Sequence, residues 1–206
     1  MPLVYQQNIN LSTKLAVWHI AEAEAFFLQR VSLQQYIAHP RKRLQHLSGR
    51  LLLTELFADF PVALIRIAET RRPFLPDDPF HFSISHCGDY AAVIVSNCQR
   101  VGIDIEIPHS KIERIRDKFL TVTEQEIVAA ANIADGLTMA WSIKESLFKW
   151  YAKGQVDFKQ HLHIQSLEKT GNEFSAACTV SKENEQALEV KGLMFNGNCL
   201  AWVMSG

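Results

Sequence analysis

The hexapeptide Val101-Gly-Ile-Asp-Ile-Glu106 alternates apolar and acidic side chains. A strand turns successive side chains to opposite faces, so Ile103 and Ile105 fall on one face and Asp104 and Glu106 together on the other. The two acidic Cα atoms then stand roughly 7 Å apart, and carboxylates that close repel unless a cation or open solvent relieves them. Hard oxygen donors of this kind suit Mg²⁺, which takes one or two carboxylates and completes its shell with water and phosphate oxygens. An acidic strand face turned to solvent accounts for these six residues equally well.

Leu137 to Tyr151 adds a second set. Wound at 100° per residue, it gathers Thr138, Ser142, Glu145 and Lys149 on one narrow stripe, while apolar residues cover most of the remaining circumference. A helix buried on most sides turns such a stripe to a cleft, a partner or a ligand. Glu145 and Lys149 stand four residues apart; on a surface helix that spacing is an ordinary ion pair, and on a buried one it is an acid-base couple placed to serve a phosphate. Lys144 emerges among apolar neighbours, with its stem either snorkelling to the surface or reaching an anion.

A third set is basic. Seven arginines and lysines lie from Arg41 to Arg72 against Glu55, Asp59 and Glu69. Arg43 and Arg50 fall on roughly one side of a helix whose Leu44, Leu47, Leu51 and Leu52 pack inward, and paired guanidinium groups bind phosphate well. Arg71-Arg-Pro leads through turn residues to Phe80-His-Phe-Ser-Ile-Ser-His-Cys-Gly, where Ser85 and His86 end a strand before a glycine. Hydroxyl, imidazole and backbone N–H groups in that position either bind phosphate oxygens or close a turn.

The elements that must hold these residues repeat one scheme. Strand patterns at Lys14–Ile20, Val62–Ala68, Phe80–Ser85 and Tyr90–Ser96 flank helical segments from Ala21 to about Phe60. Then come a strand at Val101–Glu106, helical segments from Lys111 to Tyr151, and strands near His161–Leu167, Glu173–Val180, Leu188–Phe195 and Cys199–Met204. The order predicts an α+β molecule: a pseudo-twofold pair of similar subdomains, 1–100 and 101–206, each with helices on a mainly antiparallel sheet, and a site in the cleft between them.

A formal net charge of −1 argues against a general nucleic-acid binder. No apolar run reaches the roughly 20 residues of a membrane-spanning helix. Cys87, Cys98, Cys178 and Cys199 form no CxxC pair and no leader pattern precedes Tyr5, so the expectation is a protein of the reducing cytoplasm.

Taken together, Val101-Gly-Ile-Asp-Ile-Glu, Trp141-Ser-Ile-Lys-Glu-Ser-Leu-Phe-Lys some 35 residues later, Arg72-Pro and Phe82-Ser-Ile-Ser-His-Cys-Gly resemble the 4′-phosphopantetheinyl transferases, in the two-halved branch typified by the surfactin-synthetase activator. Cys87 stands where many of that family have a second serine. The resemblance implies transfer of the phosphopantetheine arm of coenzyme A to a serine of an apo carrier protein (acyl, peptidyl or polyketide), with release of 3′,5′-ADP. It implies that Asp104, Glu106 and Glu145 bind Mg²⁺, that Glu145 helps deprotonate the serine, and that Lys149, with Lys144, serves the phosphates. Arg43, Arg50, Arg72, Ser85 and His86 become the nucleotide-phosphate ligands, and a monomer is expected because both halves lie in one chain. Lys111, Arg114, Arg116, Lys118, Phe119 and Leu120 either meet an acidic carrier or form an ordinary amphipathic helix. A metal-dependent hydrolase of coenzyme A and a non-catalytic nucleotide-binding protein are the competing functions.

Overall fold

Two helix-on-sheet units make up the chain, Met1–Arg100 and Val101–Gly206, and the architecture is α+β. The computed structural model describes residues 2–33, 35–131 and 134–205. The first unit runs β1 (Leu3–Asn8), β2 (Thr13–His19), α1 (Glu24–Leu28), α2 (Pro40–Leu56), β3 (Arg66–Ile67), β4 (Pro73–Phe74), β5 (His81–Cys87) and β6 (Tyr90–Ser96). Its antiparallel sheet has the order β1-β2-β6-β5.

Pro40 follows an extended His39 and opens α2, the position at which proline's missing N–H costs a helix nothing. Leu47, Leu51, Leu52 and Leu56 then pack with Phe82, Val93 and Val95 of the sheet in the core of this unit. The helix lies close on β5: a Cβ on Gly49 would stand 3.0 Å from Ile84 Cγ2, and Gln45 Nε2 donates to Gly88 O at 2.9 Å. Residues 45–50 therefore run antiparallel to 84–88.

One expectation is corrected here, and one strand is added. The segment Val62–Ala68 is not a sheet strand; it is a 3-10 turn at Val62–Leu64 followed by the two-residue β3, which pairs only with β4. Leu64 and Ile67 are 60 % and 51 % exposed, so this apolar alternation has no buried face to occupy. The strand β1, absent from the sequence reading, adds an edge to the sheet with every second residue half-buried.

The second unit comprises β7 (Val101–Glu106), α3 (Ser110–Phe119), α4 (Val122–Ala130), α5 (Gly136–Tyr151), α6 (Phe158–His161), β8 (Leu162–Thr170), β9 (Glu173–Val180), β10 (Gln186–Phe195) and β11 (Asn198–Met204). The strands pair antiparallel in the order β7-β11-β10-β9-β8, and α5 packs along β7 and β11. Met139, Ile143 and Leu147 of α5 are fully buried with Leu162, Val190 and Val203, each worth roughly 1.5–3 kcal/mol of burial. The helical segments expected from Lys111 to Tyr151 are α3, α4 and α5; α3 ends before Leu120, and α4 starts on a capping box in which Thr121 and Glu124 satisfy each other's backbone N–H groups. Among the described residues no helix is long and apolar enough to cross a membrane.

Candidate active site

Gly102 and Asp104 share one face of β7, and α5 crosses that face. A Cβ on Gly102 would come 2.1 Å from Ser146 O and 2.7 Å from Trp150 N, so the absence of a side chain is what lets the helix settle on the strand. Settled there, α5 closes Asp104 from both sides: Ser142 Oγ donates to Oδ2 at 2.9 Å, and Lys149 Nζ donates to Oδ1 at 2.8 Å. Asp104 is only 3 % exposed. The acidic strand face is thus not an open solvent face, and the polar stripe of α5 is what covers it.

Glu145 lies between Ser142 and Lys149 on the same stripe and is half-buried. Its carboxyl is pushed up to about 7, first by burial and then by the negative charge of Asp104, with Glu106 adding to the rise and Lys149 opposing it. The three carboxyls therefore act on one another across β7 and α5. Excess negative charge on hard oxygen donors is the chemistry a divalent cation relieves, so the donor set fits Mg²⁺ in kind. Among the described residues, however, no three acidic, histidine or cysteine side chains are gathered closely enough to enclose an ion.

Lys144 takes the other face of α5 and is fully buried. Its Nζ donates to Phe119 O at 2.7 Å and Phe158 O at 3.0 Å and pairs with Glu124 Oε1 at 2.7 Å. All three ammonium protons are engaged within the protein, so neither snorkelling to the surface nor contact with a bound anion describes this lysine. Glu124 also accepts from Ile164 N at 2.9 Å and Thr121 N at 2.8 Å. One buried ion pair thus ties α5 to α4 and β8, two residues after Ser142 and five before Lys149.

The arginines expected to act together have different partners. Arg43 makes a two-point contact with Glu24, at 2.7 and 2.8 Å, and donates to Ile37 O. Arg72 closes the connection between β3 and β4, within the fields of Asp78 and Arg100, with burial holding its guanidinium below the ordinary range. Arg50 is 6 % exposed, and burial lowers its pKa to about 10. Beside it is a residue that sequence reasoning missed, His46, one helical turn earlier; Arg50 and the exposed His86 of β5 both act on its ring. Ser85 is buried on β5 opposite Ala92. Thus Arg50, His46 and His86 come together, while Arg43 and Arg72 belong to other ion pairs or fields.

Glu124 was also missed, although Thr121-Val-Thr-Glu124 carries the capping-box spacing that could have found it. On α3, Lys111, Arg114, Arg116 and Lys118 are exposed, whereas Phe119 and Leu120 belong to the core and are not surface groups. A groove of about 800 Å³ runs beside them, with Ile112, Arg116, Val128 and Leu137 in its walls.

Residues 100–201, the span that contains β7 and α5, match the 4′-phosphopantetheinyl transferase superfamily. Enterobactin synthase component D of Escherichia coli K12 is 33% identical over 136 residues, which cover 64% of this chain and 65% of that protein. The same component of Salmonella typhi is 33% identical over 118 residues, covering 54% and 49% of the two chains. The 4′-phosphopantetheinyl transferase AcpT of Escherichia coli O157:H7 is 29% identical over 113 residues, covering 52% and 57%. The match thus spans less than two thirds of these relatives' own length.

Proposed function

We infer that this chain, which belongs to the 4′-phosphopantetheinyl transferase superfamily, moves the phosphopantetheine arm of coenzyme A to a serine of an apo carrier protein and releases 3′,5′-ADP. The observation that carries the reading is the meeting of Asp104, Ser142, Glu145 and Lys149 where α5 crosses β7, inside the span that matches the superfamily.

The chemistry follows from those side chains. The serine hydroxyl bonds to the β-phosphorus as the bond from that phosphorus to the 3′,5′-ADP oxygen breaks. With its carboxyl near 7, Glu145 is partly ionised at neutral pH and accepts the serine proton, directly or through a water. Lys149 sets positive charge against the pyrophosphate, and with Ser142 it holds the Asp104 carboxylate in one orientation. Asp104, Glu106 and Glu145 would hold Mg²⁺, which when bound neutralises pyrophosphate charge and polarises its oxygens. Arg50, Arg72, Ser85 and His86 serve the nucleotide phosphates; Arg43, paired with Glu24, supports its helix, and Lys144 holds α5 in place.

The acceptor is an acyl, peptidyl or polyketide carrier, and the exposed Lys111, Arg114 and Lys118 offer it a positive face. The four cysteines are free thiols, which suits a reducing cytoplasm, and light scattering should give the mass of a monomer. Chromatography of the products of coenzyme A and Mg²⁺, with and without apo carrier, tests the reaction class. Release of 3′,5′-ADP only when carrier is present is the expected result; release of free phosphopantetheine without carrier would identify a hydrolase instead.

A further inference from the structure

β11 pairs with β7 so that Cys199 stands opposite Glu106, Ala201 opposite Asp104 and Val203 opposite Gly102. Opposed residues turn their side chains to the same face of a sheet, and this is the face on which α5 lies. Cys199 is thus part of the floor beneath Ser142, one diagonal step from Asp104, and both Cys199 and Ser142 are fully buried. The Cys199 thiol is hydrogen-bonded to the Ser142 side chain and lies in the fields of Asp104, Asp135 and Glu106. The direction of that bond follows from the protons present. Ser142 Oγ carries one proton and gives it to Asp104 Oδ2 at 2.9 Å, so toward Cys199 the same oxygen accepts. Burial pushes the thiol well up and keeps its proton on, so the S–H donates. Three other hydroxyls on α2 and α5 turn back to their own helix: Ser48 to Gln45 O at 3.0 Å, Thr54 to Leu51 O at 2.8 Å and Ser146 to Ile143 O at 2.7 Å. Ser142 turns away from its helix instead, between a donor on β11 and an acceptor on β7. The other buried thiol, Cys178, donates only along its own strand, to Ala176 O.

We propose that Cys199 is a positioning residue for the transfer reaction: its S–H donates to Ser142 Oγ, commits the Ser142 proton to Asp104 Oδ2, and so holds the carboxylate in one orientation. Cys199 itself binds nothing; it acts through Ser142. Without the thiol, Ser142 Oγ loses the donor that matches its outward turn, and its proton is free to return to a carbonyl one turn back, as the other helix hydroxyls do. Asp104 is then held on Oδ1 alone, by Lys149, and its carboxylate can swing. Transfer that depends on position is sensitive to such a swing, since a displacement of about 1 Å costs up to roughly 10²-fold in rate.

The positioning role rests on the proposed transferase reading, whereas the hydrogen-bond chain from Cys199 to Asp104 can be measured without any substrate. Two substitutions separate positioning from packing, because serine keeps a donor at this place and alanine does not. Per folded molecule, Cys199→Ala should lower kcat roughly tenfold with KM for coenzyme A within about twofold of wild type, and Cys199→Ser should keep kcat within about threefold. A residue that only fills the floor gives the reverse order, since a hydroxyl is tolerated in an apolar floor less well than a methyl group. Equal kcat in wild type and Cys199→Ala, or a serine variant slower than the alanine one, would overturn the proposal. Infrared spectroscopy of the free chain supplies the second reading: the Cys199 S–H stretch, isolated by subtracting the spectrum of Cys199→Ala, should lie at the lower frequency of a bonded thiol. In Ser142→Ala, with the same subtraction, it should rise to that of an unbonded one. A band that does not move would also overturn the proposal, and the wild-type band does not depend on how well the serine variant folds. Failure of the transferase reading looks different: the band still moves with Ser142→Ala, but the wild-type chain modifies no carrier.

Discussion

Asp104 accepts a hydrogen bond on each carboxylate oxygen, and the two donors, Ser142 and Lys149, come from one stripe of one helix. Glu145 between them has the opposite fate: burial and the charge of Asp104 leave it close to half-ionised at neutral pH. Its raised pKa makes a signed prediction in metal-free buffer. The stability that goes with a protonated Glu145 is complete below about 4.5 and is lost as pH rises through about 7. Glu145→Gln escapes that loss, so its advantage in thermal denaturation over wild type should be small at about pH 4 and on the order of 2–3 kcal/mol at about pH 8. Carrier modification by the same variant should fall by roughly 10² to 10⁴. A variant with the wild-type pH dependence of stability would show that Glu145 does not carry the strained charge. The four polar positions were legible from two periodicities, one of strand and one of helix. His46 was not, because a single histidine on a leucine-rich helix looks the same whether it is packed or waiting for a ligand, and its neighbours on β5 come from a distant part of the chain.

At the scale of elements, α5 is positioned twice, once against β7 through Gly102 and once against α4 and β8 through Lys144 and Glu124. Gly102→Ala must push Ser146 and Trp150 away; it should cost at least about 1–3 kcal/mol and reduce transfer beyond the loss of folded protein, measured by denaturant melts beside activity per folded molecule. Glu124→Ala leaves the Lys144 ammonium buried without its carboxylate and should cost about 3–5 kcal/mol. Replacing both residues by apolar ones of similar size should restore much of that loss, and a double variant no more stable than Glu124→Ala would refute this account of the pair. The elements themselves were largely readable, since helices and strands with one buried face announce their period. Val62–Ala68 misled because its alternation is apolar without being buried. The breaks within Lys111–Tyr151 depend on caps such as Thr121 rather than on the hydrophobic pattern.

At the scale of the molecule, each unit has its own core, one centred on α2 and its sheet and the other on α5 and its sheet. Leu52→Ala, at a fully buried position of α2, should cost about 2–5 kcal/mol. In hydrogen exchange, α2, β5 and β6 should lose protection before β9, β10 and β11 do, and uniform loss across all six elements would contradict separate cores. The α+β class was legible because strand and helix periods recur in the same order in each half. The side-chain geometry that makes the site, including the close approach at Gly102 and the engagement of Lys144, depends on contacts between elements and has no local signature. The account's central claim is that this fold transfers phosphopantetheine through the residues where α5 meets β7. Intact-mass spectrometry of several apo carriers, incubated with the chain, coenzyme A and Mg²⁺, tests it most directly. A gain of one phosphopantetheine on a carrier, abolished by EDTA and by Glu145→Gln, is the predicted result; an undiminished gain with Glu145→Gln, or no gain on any carrier, would contradict it.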